Sequence, residues 1–160
     1  MVFTNIMKIF KIHTKQNLPI TIEEGWSFLS NPKNLSTITP DYMKFKITDC
    51  DLKPVYQGQI IQYMVRPIMN IPLKWVTEIT HVVHEKYFVD EQRFGPYSLW
   101  HHKHFIKEIE NGIEMEDVIH YKIPGGIFGE FLNSLFISKQ LNEIFEYRKN
   151  KLIKIFGEIS

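Results

Sequence analysis

The chain has 160 residues, 44% of them hydrophobic and 14% aromatic, which supplies core material for a single domain over residues 1–160 and excludes a disordered or fibrous chain. Lys plus Arg number 19 against 18 Asp plus Glu, a formal charge of +1, and so even a balance argues against a nucleic-acid partner, because phosphate binding needs a basic face. No apolar run approaches the roughly 18 residues of a membrane span, the opening residues lack the pattern of a signal peptide, and the lone Cys50 rules out an internal disulfide or a cysteine-based zinc site. A cytoplasmic chain without stable membrane insertion is therefore expected.

The first strand is expected over Ile6–Thr14, where Ile6, Lys8, Phe10 and Ile12 alternate with Met7, Ile9, Lys11 and His13. Pro19 stops it. Thr21 and Glu24 have the spacing of a capping box, and the helix they open carries Ile22, Trp26 and Leu29 on one face. Asn31-Pro32 opens a second short helix that ends before Pro40. Further strands follow at about Lys44–Leu52, Gly58–Arg66, Leu73–His84, Tyr87–Phe94, Ser98–Glu110 and Ile113–Ile123. Asn111-Gly112 between the last two is a hairpin signal, because both central positions of a type I′ turn need positive φ. After Pro124 the period becomes helical, with Ile137, Leu141, Ile144, Phe145, Arg148, Leu152 and Ile155 at three- and four-residue spacing. Lys149, Lys151 and Lys154 suit the end of that helix, and Gly157 its C-cap. The stretch Ile127–Phe136 is apolar on more than one side and reads as a separate helical turn or a lid.

Connections this short leave no room for parallel crossovers, so neighbouring strands should be antiparallel. The fold class is α+β: a curved antiparallel sheet of about seven strands, two short helices after the first strand, and a long C-terminal helix. One sheet face is too apolar for water and must be covered. Only the last helix, about 45 Å long at 1.5 Å per residue, can do so. Where the sheet curls away from it, a ligand-sized cavity is left.

This order resembles the helix-grip superfamily that includes START lipid-transfer domains, the birch-pollen-allergen group and polyketide cyclases (SRPBCC). The run from Asp90 through Trp100-His101-His102-Lys103-His104-Phe105 is similar to the signature of a bacterial group of ligand-binding SRPBCC domain proteins. Leu73-Lys74-Trp75 with Ile79, Met115 through Tyr121 with Pro124, and Gln140 through Arg148 support the likeness, which covers roughly residues 6 to 157. The resemblance implies an internal cavity for a small hydrophobic or amphipathic ligand, such as a lipid, isoprenoid or aromatic metabolite, without a metal or cofactor. It equally admits a cyclase, dehydratase or hydrolase, and an accessory module that docks on a protein partner or a second copy.

Alternation suggests which side chains enter the cavity. Lys103 and Lys107 belong in water, so Trp100, His102, His104 and Ile106 point inward. The same test turns Leu73, Trp75, Thr77, Ile79, His81 and Val83 inward, and with them Met115, Asp117, Ile119 and Tyr121. On Tyr87–Phe94 either face could be the inner one; Glu91 and Arg93 are the candidates carried forward. A β-bulge would reverse any of these assignments. The expected ligand-binding set is thus Trp75, Ile79, Glu91, Arg93, Trp100, His102, His104, Asp117 and Tyr121, with Phe131 and Leu135 from the lid. His102, His104 and Asp117 are the catalytic candidates, since a histidine beside a carboxylate can shuttle a proton near neutral pH. Two histidines at i and i+2 share a strand face and could also reach one ion with Asp117 as third ligand, or simply satisfy one another by hydrogen bonds. Arg148 could pair with Glu91 or Asp117.

Overall fold

The computed structural model describes residues 8–67 and 70–159. Strand β1 (Phe10–Leu18) leads into helix α1 (Ile22–Leu29), and two 3₁₀ turns, Pro32–Leu35 and Asp41–Met43, follow. Then come β2 (Lys46–Asp49), β3 (Ile60–Val65), β4 (Leu73–Val83), β5 (Tyr87–Phe94), β6 (Leu99–Ile109) and β7 (Gly112–Lys122). The chain ends in α2 (Gly126–Leu132), a π-helical turn (Asn133–Ile137) and α3 (Ser138–Phe156). The seven strands form one sheet in the order β1-β7-β6-β5-β4-β3-β2, and every neighbouring pair is antiparallel. This is the α+β helix-grip arrangement expected from the order of elements. Consecutive strands are neighbours except β1 and β2, which lie at opposite edges; α1 and the 3₁₀ turns carry the chain between them.

The capping box forms as the sequence requires: Thr21 Oγ1 accepts from the Glu24 amide at 3.2 Å, and the Glu24 carboxylate accepts from the Thr21 amide at 2.9 Å. α1 then buries Ile22 and Trp26 against Leu18, Ile106 and Ile113. Helix α3 covers the same sheet face. Its Leu152 joins that cluster, while Leu141 and Phe145 join a second one with Ile12, Trp100, Ile119 and Tyr121. One amphipathic helix thus ties both halves of the core together, each buried large side chain contributing roughly 1.5–3 kcal/mol.

Several boundaries move. The first strand is Phe10–Leu18, later than expected, because its limits are set by the ladder it makes with β7, Phe10↔Tyr121 to Leu18↔Ile113; Ile6 and Met7 lie outside the described residues. β2 is shorter than Lys44–Leu52, since Lys44 and Leu52 have positive φ (45° and 57°) that no strand accommodates. The second short helix is a single 3₁₀ turn. The stretch Ile127–Phe136 is no separate lid: α2 runs through the π turn into α3 without a break. The β6–β7 hairpin closes one residue earlier than a type I′ Asn-Gly turn, because Gly112 already pairs with Ile109. Gly112 is needed for another reason. A Cβ there would lie 2.1 Å from the Leu18 carbonyl oxygen, on backbone with φ 155°. Gly112→Ala is accordingly expected to cost roughly 1–3 kcal/mol, read as a lower urea midpoint at unchanged m-value.

Candidate functional site

Between the concave sheet face and α3 lies a cavity of about 390 Å³. One wall is aromatic. Trp75 stacks on Tyr63 with centroids 5.7 Å apart, and meets Trp100 edge-on at 5.3 Å; Tyr97 packs at 4.9 Å from Trp100. Burial first, with nearby Asp90 second, pushes the Tyr63 phenol upward, and burial does the same for Tyr97, so both stay protonated. Tyr63 and Thr77 share a hydrogen bond of 3.1 Å. Two residues that line this cavity, Trp75 and Arg148, each carry a buried donor, Nε1 and Nε respectively, that makes no hydrogen bond within the protein.

Its polar end is built by strand register. Asp90 of β5 sits directly across from His102 of β6, and His104 of β6 directly across from Asp117 of β7. Cross-strand neighbours on one face have Cβ atoms about 4.5–5.5 Å apart and diagonal ones remain within reach, so each imidazole meets both carboxylates. His104 Nε2 lies 2.7 Å from Asp90 Oδ2 and His102 Nε2 3.0 Å from Asp117 Oδ1, and in each the N–H donates to the carboxylate. The remaining nitrogens complete the square. His102 Nδ1 is 3.4 Å from Asp90 Oδ2, and His104 Nδ1 is 2.9 Å from Asp117 Oδ1 without the alignment of a hydrogen bond. Arg148 of α3 closes on Asp117 Oδ1 at 3.4 Å. Phe88 stacks on the His104 ring at 4.2 Å, and the two imidazole centroids are 3.7 Å apart.

Burial opposes every charge in this cluster, and its members answer it unequally. For Asp117 the penalty is overcome by Arg148, then by His102 and His104, which hold its carboxyl well below the usual range. Asp90 is likewise lowered: burial raises it, but the charges and hydrogen bonds of His102 and His104 prevail. The two histidines diverge. Burial and then the neighbouring His104 push His102 down, whereas for His104 the bonds to Asp117 and Asp90 outweigh burial and raise it. Of the two imidazoles, His104 is thus the one whose surroundings favour the proton, and His102 the one whose surroundings disfavour it.

Of the residues expected from the sequence, Trp75, Ile79, Trp100, His102 and His104 line the cavity. Asp117 holds the histidines from behind and faces a smaller cleft of about 220 Å³ between β1, β7 and α3. Tyr121 is fully buried and donates to Asn133 Oδ1 at 2.9 Å instead of lining the cavity, which anchors the π turn. Glu91 and Arg93 are on the outer face: Arg93 bonds Glu78 at 2.5 Å and Glu91 bonds His101 at 2.7 Å. The inner residues of β5 are Phe88, Asp90 and Gln92, whose partners across the ladder are the inward His104, His102 and Thr77. Phe131 and Leu135 point to solvent, 58% and 48% exposed, while Leu132 of α2 and Ile137 of the π turn line the cavity. A bulge at Thr80 turns His81 and Val83 outward and brings Val82 to the core. Arg148 pairs with Asp117, one of its two candidate partners. Asp90, Tyr63 and Tyr97 are site residues that alternation alone does not find. Asp90, His102 and His104 bring one ligand atom each within 4.8 Å of one another, the group among the described residues able to hold a metal ion.

The curved seven-stranded sheet and the long C-terminal helix define a helix-grip fold, and solved structures bear this out. TTHA0849 from Thermus thermophilus is 13% identical, covering 91% of this chain and 99% of its own, with a TM-score of 0.65. CV1439 from Chromobacterium violaceum is 8% identical over 93% of this chain and 98% of its own, with a TM-score of 0.71. Ara h 8.0201 is 8% identical over 92% and 99%, with a TM-score of 0.60. No protein-family model and no curated protein matches the sequence. Among the described residues no helix is long and apolar enough to cross a membrane.

Removing Arg148 strands the Asp117 carboxylate. Arg148→Met should destabilise the fold by about 3–5 kcal/mol, and adding Asp117→Asn should recover part of that loss. Denaturant unfolding of the double-mutant cycle measures the coupling, expected at roughly 0.5–3 kcal/mol.

Proposed function

We propose that the chain binds a small amphipathic molecule, apolar over most of its surface and carrying a hydrogen-bond acceptor. The observation that carries this reading is the pairing of a mainly apolar cavity of about 390 Å³ with two buried donors on residues of its wall, Trp75 Nε1 and Arg148 Nε, that have no partner in the protein. Small-molecule sites run from about 300 to 1,000 Å³ and combine apolar walls with a few polar groups that set orientation. A buried donor left unmade costs roughly 1–3 kcal/mol, so a ligand acceptor that reached either one would be held by more than apolar contact. The likeness to the SRPBCC group of ligand-binding domains agrees with this reading, and the helix-grip fold is compatible with it.

Two measurements test it. Native mass spectrometry of protein isolated without added ligand should show a retained small molecule that organic extraction releases. Ile144 lines the cavity and is only partly buried, so Ile144→Trp should fill it while sparing the deep core. That variant is expected to lose the retained molecule and the fluorescence of an apolar probe dye, with its unfolding midpoint little changed. Unaltered retention in Ile144→Trp would place the ligand elsewhere.

Trp75→Phe keeps the aromatic wall and deletes the donor. Affinity for the extracted molecule should fall about tenfold, the size of one hydrogen bond of roughly 1.4 kcal/mol, as isothermal titration would read directly.

A further inference from the structure

The cavity's polar end has a second property that ligand orientation does not call for. Asp90, His102 and His104 all line the cavity, one ligand atom of each lies within 4.8 Å of the others, and Asp90 Oδ2 is flanked by His102 Nδ1 and His104 Nε2. The carboxylate oxygen is 3.4 Å from the first nitrogen and 2.7 Å from the second. Ligands bound to one ion at about 2.0–2.1 Å lie ~3.3 Å apart in a tetrahedral site. The first separation already matches, and the second needs to open by only about half an ångström.

What lies behind the rings is equally specific. Metal-bound histidines almost always donate their other ring N–H to a carboxylate or carbonyl, which fixes tautomer and ring plane. Of the nitrogens left over here, His102 Nε2 donates to Asp117 Oδ1 at 3.0 Å, and His104 Nδ1 lies 2.9 Å from the same oxygen, short of the alignment of a hydrogen bond, so that a small rotation of the ring would complete the pair. Asp117 does not line the cavity, and it is in turn held by Arg148. Phe88 stacked on His104 and Phe145 edge-on to His102 at 5.9 Å restrain both rings further. Two imidazoles and one carboxylate gathered on a cavity wall are a ligand set that suits zinc or iron(II) and leaves positions for a further group.

We propose that Asp90, His102 and His104 bind a divalent first-row transition ion, with Asp117 holding both imidazoles from behind and the open coordination positions facing the cavity. The site takes from the reading above only its open face. Failure to bind metal would leave small-molecule retention untouched, and loss of retention would leave the metal site standing.

The full chain, stripped with a chelator and titrated with Co²⁺ in the absence of any organic ligand, provides the test. Expected are saturable uptake of one ion per chain, the visible absorption of a four- or five-coordinate Co²⁺ centre, and displacement by Zn²⁺ with loss of colour. Asp90→Asn and His104→Gln should each weaken uptake by more than about 100-fold, and Asp117→Asn by about 10–100-fold, with circular dichroism confirming that each variant is folded. Wild-type protein that takes up no Co²⁺ overturns the proposal. Uptake undiminished in His104→Gln overturns it as well, since it assigns the ion to exposed histidines such as His81 and His84. Should the variants fail to fold, paramagnetic shifts in the wild-type NMR spectrum decide: on the rings of His102 and His104 they support the site, and confined to His13, His81 and His84 they refute it.

Discussion

The contact between Asp117 and Arg148 is the constraint on which the remaining arrangement turns. Both side chains are 11% exposed, so neither charge can stand alone at that depth. An amphipathic helix carrying Leu141, Phe145 and Leu152 on one face could slide along an apolar sheet at modest cost. A slip of one turn, about 5.4 Å, would carry the guanidinium away from the carboxylate and leave two buried charges uncompensated. The pair therefore fixes where α3 sits on β7, and with it the depth and shape of the cavity beneath. It also charges Asp117 firmly enough to hold two imidazoles in place.

From that anchor the polar end follows by register. β5, β6 and β7 contribute Asp90, His102 with His104, and Asp117, and the antiparallel ladder sets them in a square without any loop being involved. Strands position side chains more firmly than loops, because each is held by hydrogen bonds on both edges. The aromatic wall needs the opposite treatment. Tyr63, Trp75 and Tyr97 come from β3, β4 and the turn before β6, where bulges at Thr80 and Arg93 break the regular pairing. Bulged strands bend and twist more strongly, and it is beside these strands that the cavity opens.

Much of this was legible in the residue pattern. Alternation against lysines turned the β6 and β7 sets the right way, because one face of each strand meets water and the other meets core. Within β4 it held through Ile79 and then failed at His81, where the extra residue at Thr80 reverses the faces; a bulge depends on the twist of the whole sheet and leaves little trace in composition. β5 was undecidable for a different reason. Its odd set, Tyr87, Val89, Glu91 and Arg93, and its even set, Phe88, Asp90, Gln92 and Phe94, have nearly the same polarity, so only the partner strand distinguishes them. Phe131 and Leu135 were misplaced because a π turn shifts the helical phase, and Asn133, whose bond to Tyr121 accompanies it, looks like any polar helix residue.

The two faces of β5 and β6 show how little residue type determines without register. His101 and Glu91 outside are 2.7 Å apart, the same as His104 and Asp90 inside. The outer pair has side chains 29% and 27% exposed, the inner 10% and 13%. Water solvates either outer partner when the other is removed, so that pair is worth a fraction of a kcal/mol. Inside, each group depends on the others, because the low-dielectric surroundings strengthen a made contact and penalise an unmade one. A shift of one residue in the β5–β6 pairing would exchange the two sets, moving Glu91 and Arg93 into the cavity and Asp90 out of it. The chemistry available to the cavity is thus decided by the β5–β6 register, which aligns Asp90 with His102 on the inner face.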